Sequence, residues 1–147
     1  MAPSPSSDQT GAETHLRAVT EHIAHGEWLK SSGRTDATTV GWAITALFYA
    51  ALHSVRAYLK ACKNVDVSSH DDFKAYERQF PELKKTALDY NFLKQESQSA
   101  RYYCNPNFTW TNFDDLRKKA ERVAGIWVPK ANGCMAGASD PPQRPSA

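Results

Sequence analysis

The chain has 147 residues, 41% of them hydrophobic and 23% charged, with a formal net charge of +2. That composition fits one domain with a real buried core and excludes wholesale disorder. The near-neutral balance excludes nucleic-acid binding through the field of the whole molecule, so any such binding needs a local patch. Cys62, Cys104 and Cys134 are odd in number and widely spaced, with no CxxC or Cys/His pattern of a zinc site. A reduced, cytoplasmic protein without metal or cofactor is expected.

Residues 1–11 are rich in Pro, Ser, Ala and Thr, with no basic start and no apolar stretch, so they read as a disordered tail and not as a secretory signal. A first helix is predicted over residues 12–30, where Ala12, Leu16, Val19, Ile23 and Gly26 fall within roughly 80° of one another at the helical repeat. His15, His22 and His25 border that stripe. With His53 or Glu21 they offer metal-ligand chemistry, but the facing-helix carboxylate spacing of a bundle metal site is absent. Gly33 supplies a stop, and Asp36 is a suitable N-cap for the next helix.

The second helix, residues 37–62, is apolar nearly all round, which marks a central helix with neighbours on several sides. Its longest hydrophobic stretch, residues 42–52, is about half of the roughly 20 residues that span a bilayer, so it predicts a buried helix and no membrane anchor. One face carries Ile44, Leu47, Phe48, Ala51, Val55, Tyr58 and Leu59. The other carries Trp42, Tyr49, His53, Arg56 and Lys60, all within roughly 60° of one line. Aromatic and basic groups in one line can stack a base and pair a phosphate. The same face would equally serve to pack a neighbouring helix or a second subunit.

Ser69 and Asp72 form a weak capping box that opens a short helix to residue 79, and Pro81 restarts a third long helix reaching residue 102. Arg101 shares the azimuth of Leu83, Ala87 and Tyr90, so its guanidinium is expected to turn inward, towards an acidic partner within the chain or an anionic ligand. After the loop CNPNFTW, Thr111 and Asp114 suggest a cap for a fourth helix bearing Phe113, Leu116, Ala120, Val123 and Trp127, with Pro129 closing it. On this helix Arg117, Lys118, Lys119 and Arg122 interleave with Asp114, Asp115 and Glu121, the pattern of a solvated, self-paired face. Residues 130–147 read as a second disordered tail.

Amphipathic helices joined by short connections predict an all-α, antiparallel four-helix bundle over residues 12–129, with room for a short fifth helix. Three blocks resemble the HEPN family of prokaryotic helical bundles: WAITALFYAALHSVRAYL (residues 42–59), VSSHDDF (67–73) and SQSARYY (97–103). The resemblance implies a homodimer working in a toxin–antitoxin or defence setting, beside a nucleotidyltransferase or defence effector. It also implies binding to a partner protein, a nucleotide or RNA. The family's nuclease branch pairs an Arg with a His four to six residues on, yet no histidine follows Arg101. Arg17 and His22 have that spacing, but they lie in the first helix with side chains about 140° apart.

The residues admit three readings. The first is a binding module without that RNase motif, using Trp42, Tyr49, His53, Arg56, Arg101 and Tyr102 for a nucleotide or RNA. The second is a metal-independent RNase with His53 as general acid or base and Arg56 or Arg101 on the phosphate. The third is a structural accessory or antitoxin subunit. No Gly-rich phosphate loop, GxSxG elbow or HExxH is present.

Overall fold

The structure is a computed structural model that describes residues 7–67, 73–103 and 105–139. The elements are α1 (Ser7–Ser31), α2 (Ala37–Lys63), α3 (Phe73–Gln79), a 3-10 segment (Pro81–Thr86), α4 (Ala87–Tyr102) and α5 (Trp110–Ser139). Among the described residues there is no strand. Four long helices and one short one form the expected all-α bundle.

Helix directions follow from which residues meet. Gly11 lies over the Lys60 side chain and Gly26 over the Ala43 carbonyl, so α1 runs antiparallel to α2. Gly41 faces Ala100, while Tyr58 donates to Glu82 at 2.7 Å, so the chain returning through α4 is antiparallel to α2 as well. Lys30 pairs with Asp114 on the α1–α5 side, and Arg122 with Asp89 on the α4–α5 side. Directly across the bundle, α2 and α5 run parallel: Ala50 packs with Ala124, Tyr58 against Trp127, and Cys62 is bonded to Cys134. This diagonal contact leaves α1 and α4 on opposite flanks of α2, with a strip of α2 between them.

The core is built on α2. Val40, Ala43, Ile44, Leu47, Phe48, Ala51, Leu52, Val55 and Leu59 are buried against Leu83, Tyr90, Leu93, Phe113, Leu116, Val123 and Trp127. Each large side chain removed from water contributes about 1.5–3 kcal/mol. By length and composition α2 could span a membrane, but 78% of its most apolar window is buried inside the bundle. Two polar groups in the core are paired: Thr45 donates to the Gly41 carbonyl at 2.9 Å, and Trp127 Nε1 to Thr86 Oγ1 at 2.9 Å. Asp36 caps α2 as its position predicts, accepting from Thr39 N at 3.0 Å. Asn64, at φ 53°, ends the helix in the left-handed region that asparagine tolerates.

Several expectations change. Residues 7–11, expected in the first tail, belong to α1, and residues 130–139, expected in the second, belong to α5. Pro129 therefore does not close the last helix. Its ring lies on the exposed outer side, as does Gly125 four residues before, so the carbonyl that loses its N–H partner is on the solvent face. Buried Trp127 and Ala131 hold the turns on either side of it.

The reduced-cysteine expectation is also overturned, because Cys62 and Cys134 form a disulfide with Cα atoms 5.4 Å apart. Their separation of 72 residues carries no motif; only the parallel α2–α5 diagonal brings them together. The cap of α5 comes from Thr109 and Asn112, not Thr111 and Asp114: Thr109 N donates to Asn112 Oδ1 at 2.9 Å, and Asn112 N to Thr109 Oγ1 at 3.4 Å. The chain after Pro81 first winds as 3-10 helix and becomes α-helical at Ala87. The Ser69–Asp72 box, His70, Cys104 and residues 1–6 and 140–147 lie outside the described residues.

Candidate functional site

The second face of α2 points into the strip between α1 and α4. Tyr49, His53 and Arg56 follow one another at spacings of four and three, which places them in one line down the helix. All three are half-buried. Because α1 runs antiparallel alongside, its own i,i+7 pair, His15 and His22, meets the same line from the flank. His15 Nδ1 lies 2.9 Å from His53 Nδ1, so one ring donates its N–H to the lone pair of the other. The His22 ring stacks on His53 at 5.4 Å between centroids and on Tyr49 at 5.5 Å.

From the other flank, α4 brings Arg101. Its Nη1 donates to the Tyr49 hydroxyl at 3.1 Å, its Nε to the Ser97 carbonyl at 3.3 Å, and its Nη2 to Ser97 Oγ at 3.4 Å. The guanidinium also lies over the Tyr49 ring at 5.7 Å and the Tyr102 ring at 5.3 Å. The result is a continuous ladder of rings and cations across three helices: Arg101, Tyr49, His22, His53, His15. Arg101 does turn inward, but towards neutral oxygens. Among the described residues no carboxylate forms an ion pair with it or with Arg56.

At the Arg101 end the strip opens into a cleft of about 180 Å³ lined by Thr38, Trp42, Thr45, Arg101 and Asn105. Gly41 forms part of its wall because an added Cβ there would sit 3.2 Å from that of Ala100. The Trp42 and Tyr102 side chains are 59% and 70% exposed, so both offer open ring surface beside the Arg101 guanidinium. At the other end, Lys60 is held by Asp66 at 3.1 Å, which removes it from the set of available cations.

Burial acts on the two α1 histidines of the ladder. It holds the His15 pKa below the usual imidazole value, and the nearby Arg56 charge pushes in the same direction; Asp66 opposes them. Burial likewise lowers His22, assisted by His25 and opposed by Glu21. Deep burial pushes the Tyr90 phenol far up, with Arg56 pulling against it. Arg56 is therefore close enough to act on both His15 and Tyr90. The Arg56 Nε and the Tyr90 hydroxyl are both buried without a hydrogen-bond partner.

The other sequence candidates separate from this site. His25 stacks on exposed Trp28, away from the ladder. Arg17 is exposed, so its spacing from His22 makes no pair. Arg117 pairs within α5 with Glu121 and across to Glu27 of α1, while Lys119 and Arg122 both engage Asp89 of α4, so most partners of this face come from other helices and not from α5 itself. No group of three or more His, Cys, Asp or Glu side chains suited to a metal ion occurs among the described residues. The near-parallel stacking of His22 and His53, 10° between planes, does not aim their lone pairs at one point.

Reading α2 by its period collects Tyr49, His53 and Arg56, but the contribution of α1 depends on how the two helices align. The available signal is that two histidines seven apart on α1 can run beside two polar aromatics on α2. Compared with known proteins, the chain matches no family model, no curated protein and no solved structure. Function is therefore read from the geometry of the ladder and cleft alone.

Proposed function

We propose that the chain is a HEPN-like binding module whose α1–α2–α4 strip takes RNA or a nucleotide, with a base on Trp42 or Tyr102 and a phosphate on Arg101 and Arg56. The observation that carries this reading is two guanidinium groups in one strip, neither paired to a carboxylate among the described residues. A half-buried cation without an anionic partner gives up part of its hydration uncompensated, and a phosphate oxyanion supplies that partner. Exposed aromatic rings beside a guanidinium add a stacking surface that tolerates any base.

Fluorescence anisotropy with a labelled short oligouridylate at low salt tests this. Wild type binds, while Arg56→Ala and Arg101→Ala keep the helical circular dichroism signal and lose roughly tenfold or more in affinity, the scale of a charge-assisted hydrogen bond. Failure of wild type to bind at low salt would end the reading and leave a structural accessory or antitoxin subunit as the better account.

The His15–His53 contact favours one second reading, a metal-independent RNase. Their shared hydrogen bond fixes the tautomers, so in the neutral pair one outer ring nitrogen carries a lone pair and the other an N–H, the equipment of acid–base catalysis on a ribose 2′-hydroxyl. RNA cleavage that persists in EDTA and disappears in His53→Ala supports it; intact RNA after prolonged incubation removes it.

A further inference from the structure

We infer that His15, His22 and His53, together with Arg56, form an oxyanion site that takes up a proton as the anion binds, so that α1 contributes ligand-binding residues as well as packing. The inference rests on the phosphate-binding reading above and adds to it the groups that hold the anion and the condition under which they do so.

The geometry supplies three imidazoles in mutual contact. His15 and His53 share a hydrogen bond at 2.9 Å, and His22 stacks on His53 at 5.4 Å. In the ligand-free protein one N–H and one lone pair meet at the His15–His53 contact, so the outer nitrogen of the donating ring carries a lone pair. A proton added at that outer nitrogen keeps the contact, now an imidazolium–imidazole hydrogen bond, and turns the nitrogen into a charged N–H donor. Arg56, whose Nε is buried without a partner, already presses on His15 with its charge. A bound oxyanion would accept from the guanidinium and from the imidazolium together.

The charged and titratable groups facing these rings come from every neighbouring element. On α1 they are Glu21 and His25, which act on His22 in opposite directions. From α2 come Arg56 and Lys60, both acting against protonation of His15, while Asp66 in the loop after α2 favours it and is itself held by Lys60. From α4 comes Arg101, whose charge reaches the ladder through the Tyr49 hydroxyl. Burial and the cations outweigh the carboxylates at His15, and burial lowers His22 likewise, so these two rings favour the neutral form more than a free imidazole does until an anion arrives. Its negative charge then restores the balance and the proton follows.

Sulfate is the suitable probe, because it stays doubly charged from about pH 5.5 to about pH 8, across the range where histidine titrates. Titration calorimetry at both pH values, in buffers of different ionisation enthalpy, measures affinity and protons taken up. Sulfate is expected to bind roughly tenfold or more tightly at the lower pH, with net proton uptake. His15→Gln and His53→Gln remove that pH dependence, and Arg56→Ala weakens binding throughout. In wild type, ring NMR should show sulfate raising the pKa of His15 and His22, a readout that does not depend on any variant folding. If the oligouridylate binds equally at both pH values and sulfate moves no histidine resonance, proton coupling is wrong and the binding strip stands. If neither probe binds at any pH, both readings fall.

Discussion

His15 and His22 sit where the neutral ring is favoured, and that has a consequence for stability which is separate from any ligand. Burial keeps both folded-state pKa values below their ordinary 6.5, so the unfolded chain binds protons first as pH falls. The stability these groups allow is therefore complete above 6.5 and declines as pH drops through that value towards the lowered ones. Thermal melts should show Tm falling between about pH 7 and about pH 5, and His22→Gln should flatten that limb. A Tm unchanged across this interval would show that the rings are not held neutral.

A second loss belongs at lower pH. The backbone N–H of Thr39 lowers Asp36, the Tyr58 hydroxyl lowers Glu82, and Arg122 lowers Asp89, so their stabilisation is present above ordinary carboxylate values and goes only in stronger acid. At this scale the sequence is informative within one helix and silent between helices. The spacing of Tyr49, His53 and Arg56 gives their common face directly. Nothing in either helix states that His15 meets His53, because that needs the antiparallel register set by Gly26 closing on Phe113 and the Ala43 carbonyl.

At the scale of elements, α5 departs most from its sequence pattern. Proline inside a helix removes a hydrogen bond and usually marks an end. Here burial of Trp127 and Ala131 on the inner side, together with the Cys62–Cys134 bond, keeps the next turns helical as far as Ser139. Hydrophobic period alone could not show this, since residues 132–139 are mostly small, without a large apolar stripe, and their anchor is covalent. The cap at Thr109 and Asn112 escapes the sequence pattern for a related reason: several Ser, Thr, Asn and Asp residues compete around the helix start, and the fold selects among them.

If the disulfide is what holds this end, Cys134→Ala should lower unfolding free energy by about 2–4 kcal/mol, the usual range for a cross-link closing a long loop. Urea denaturation with and without reductant measures it. Hydrogen exchange should also become faster at residues 130–139 while the amides of α2 stay protected. Equal stability and unchanged exchange after reduction would show that packing of Ala131 alone carries the extension.

For the whole molecule, the near-neutral charge bears on how the strip meets its ligand. With a net charge of only +2, long-range steering is weak, and affinity must come from the few cations that touch phosphate. The parallel α2–α5 diagonal leaves α1 and α4 on separate flanks of α2 and concentrates those cations between them, whereas Arg117, Lys119 and Arg122 are consumed in ion pairs that tie α5 to α1 and α4.

Salt titration of oligouridylate binding distinguishes the two faces. Each phosphate neutralised on a single strand contributes about −0.7 to the slope of log affinity against log salt, so contacts by Arg56 and Arg101 predict a slope of about −1.4 at neutral pH. Arg101→Ala should reduce its magnitude by about 0.7, and acidification that protonates the histidines should increase it by a similar amount. A slope several times steeper, insensitive to Arg101→Ala but reduced by Arg117→Ala and Lys118→Ala, would move the nucleic acid to α5. The ladder between α1 and α4 would then be packing alone.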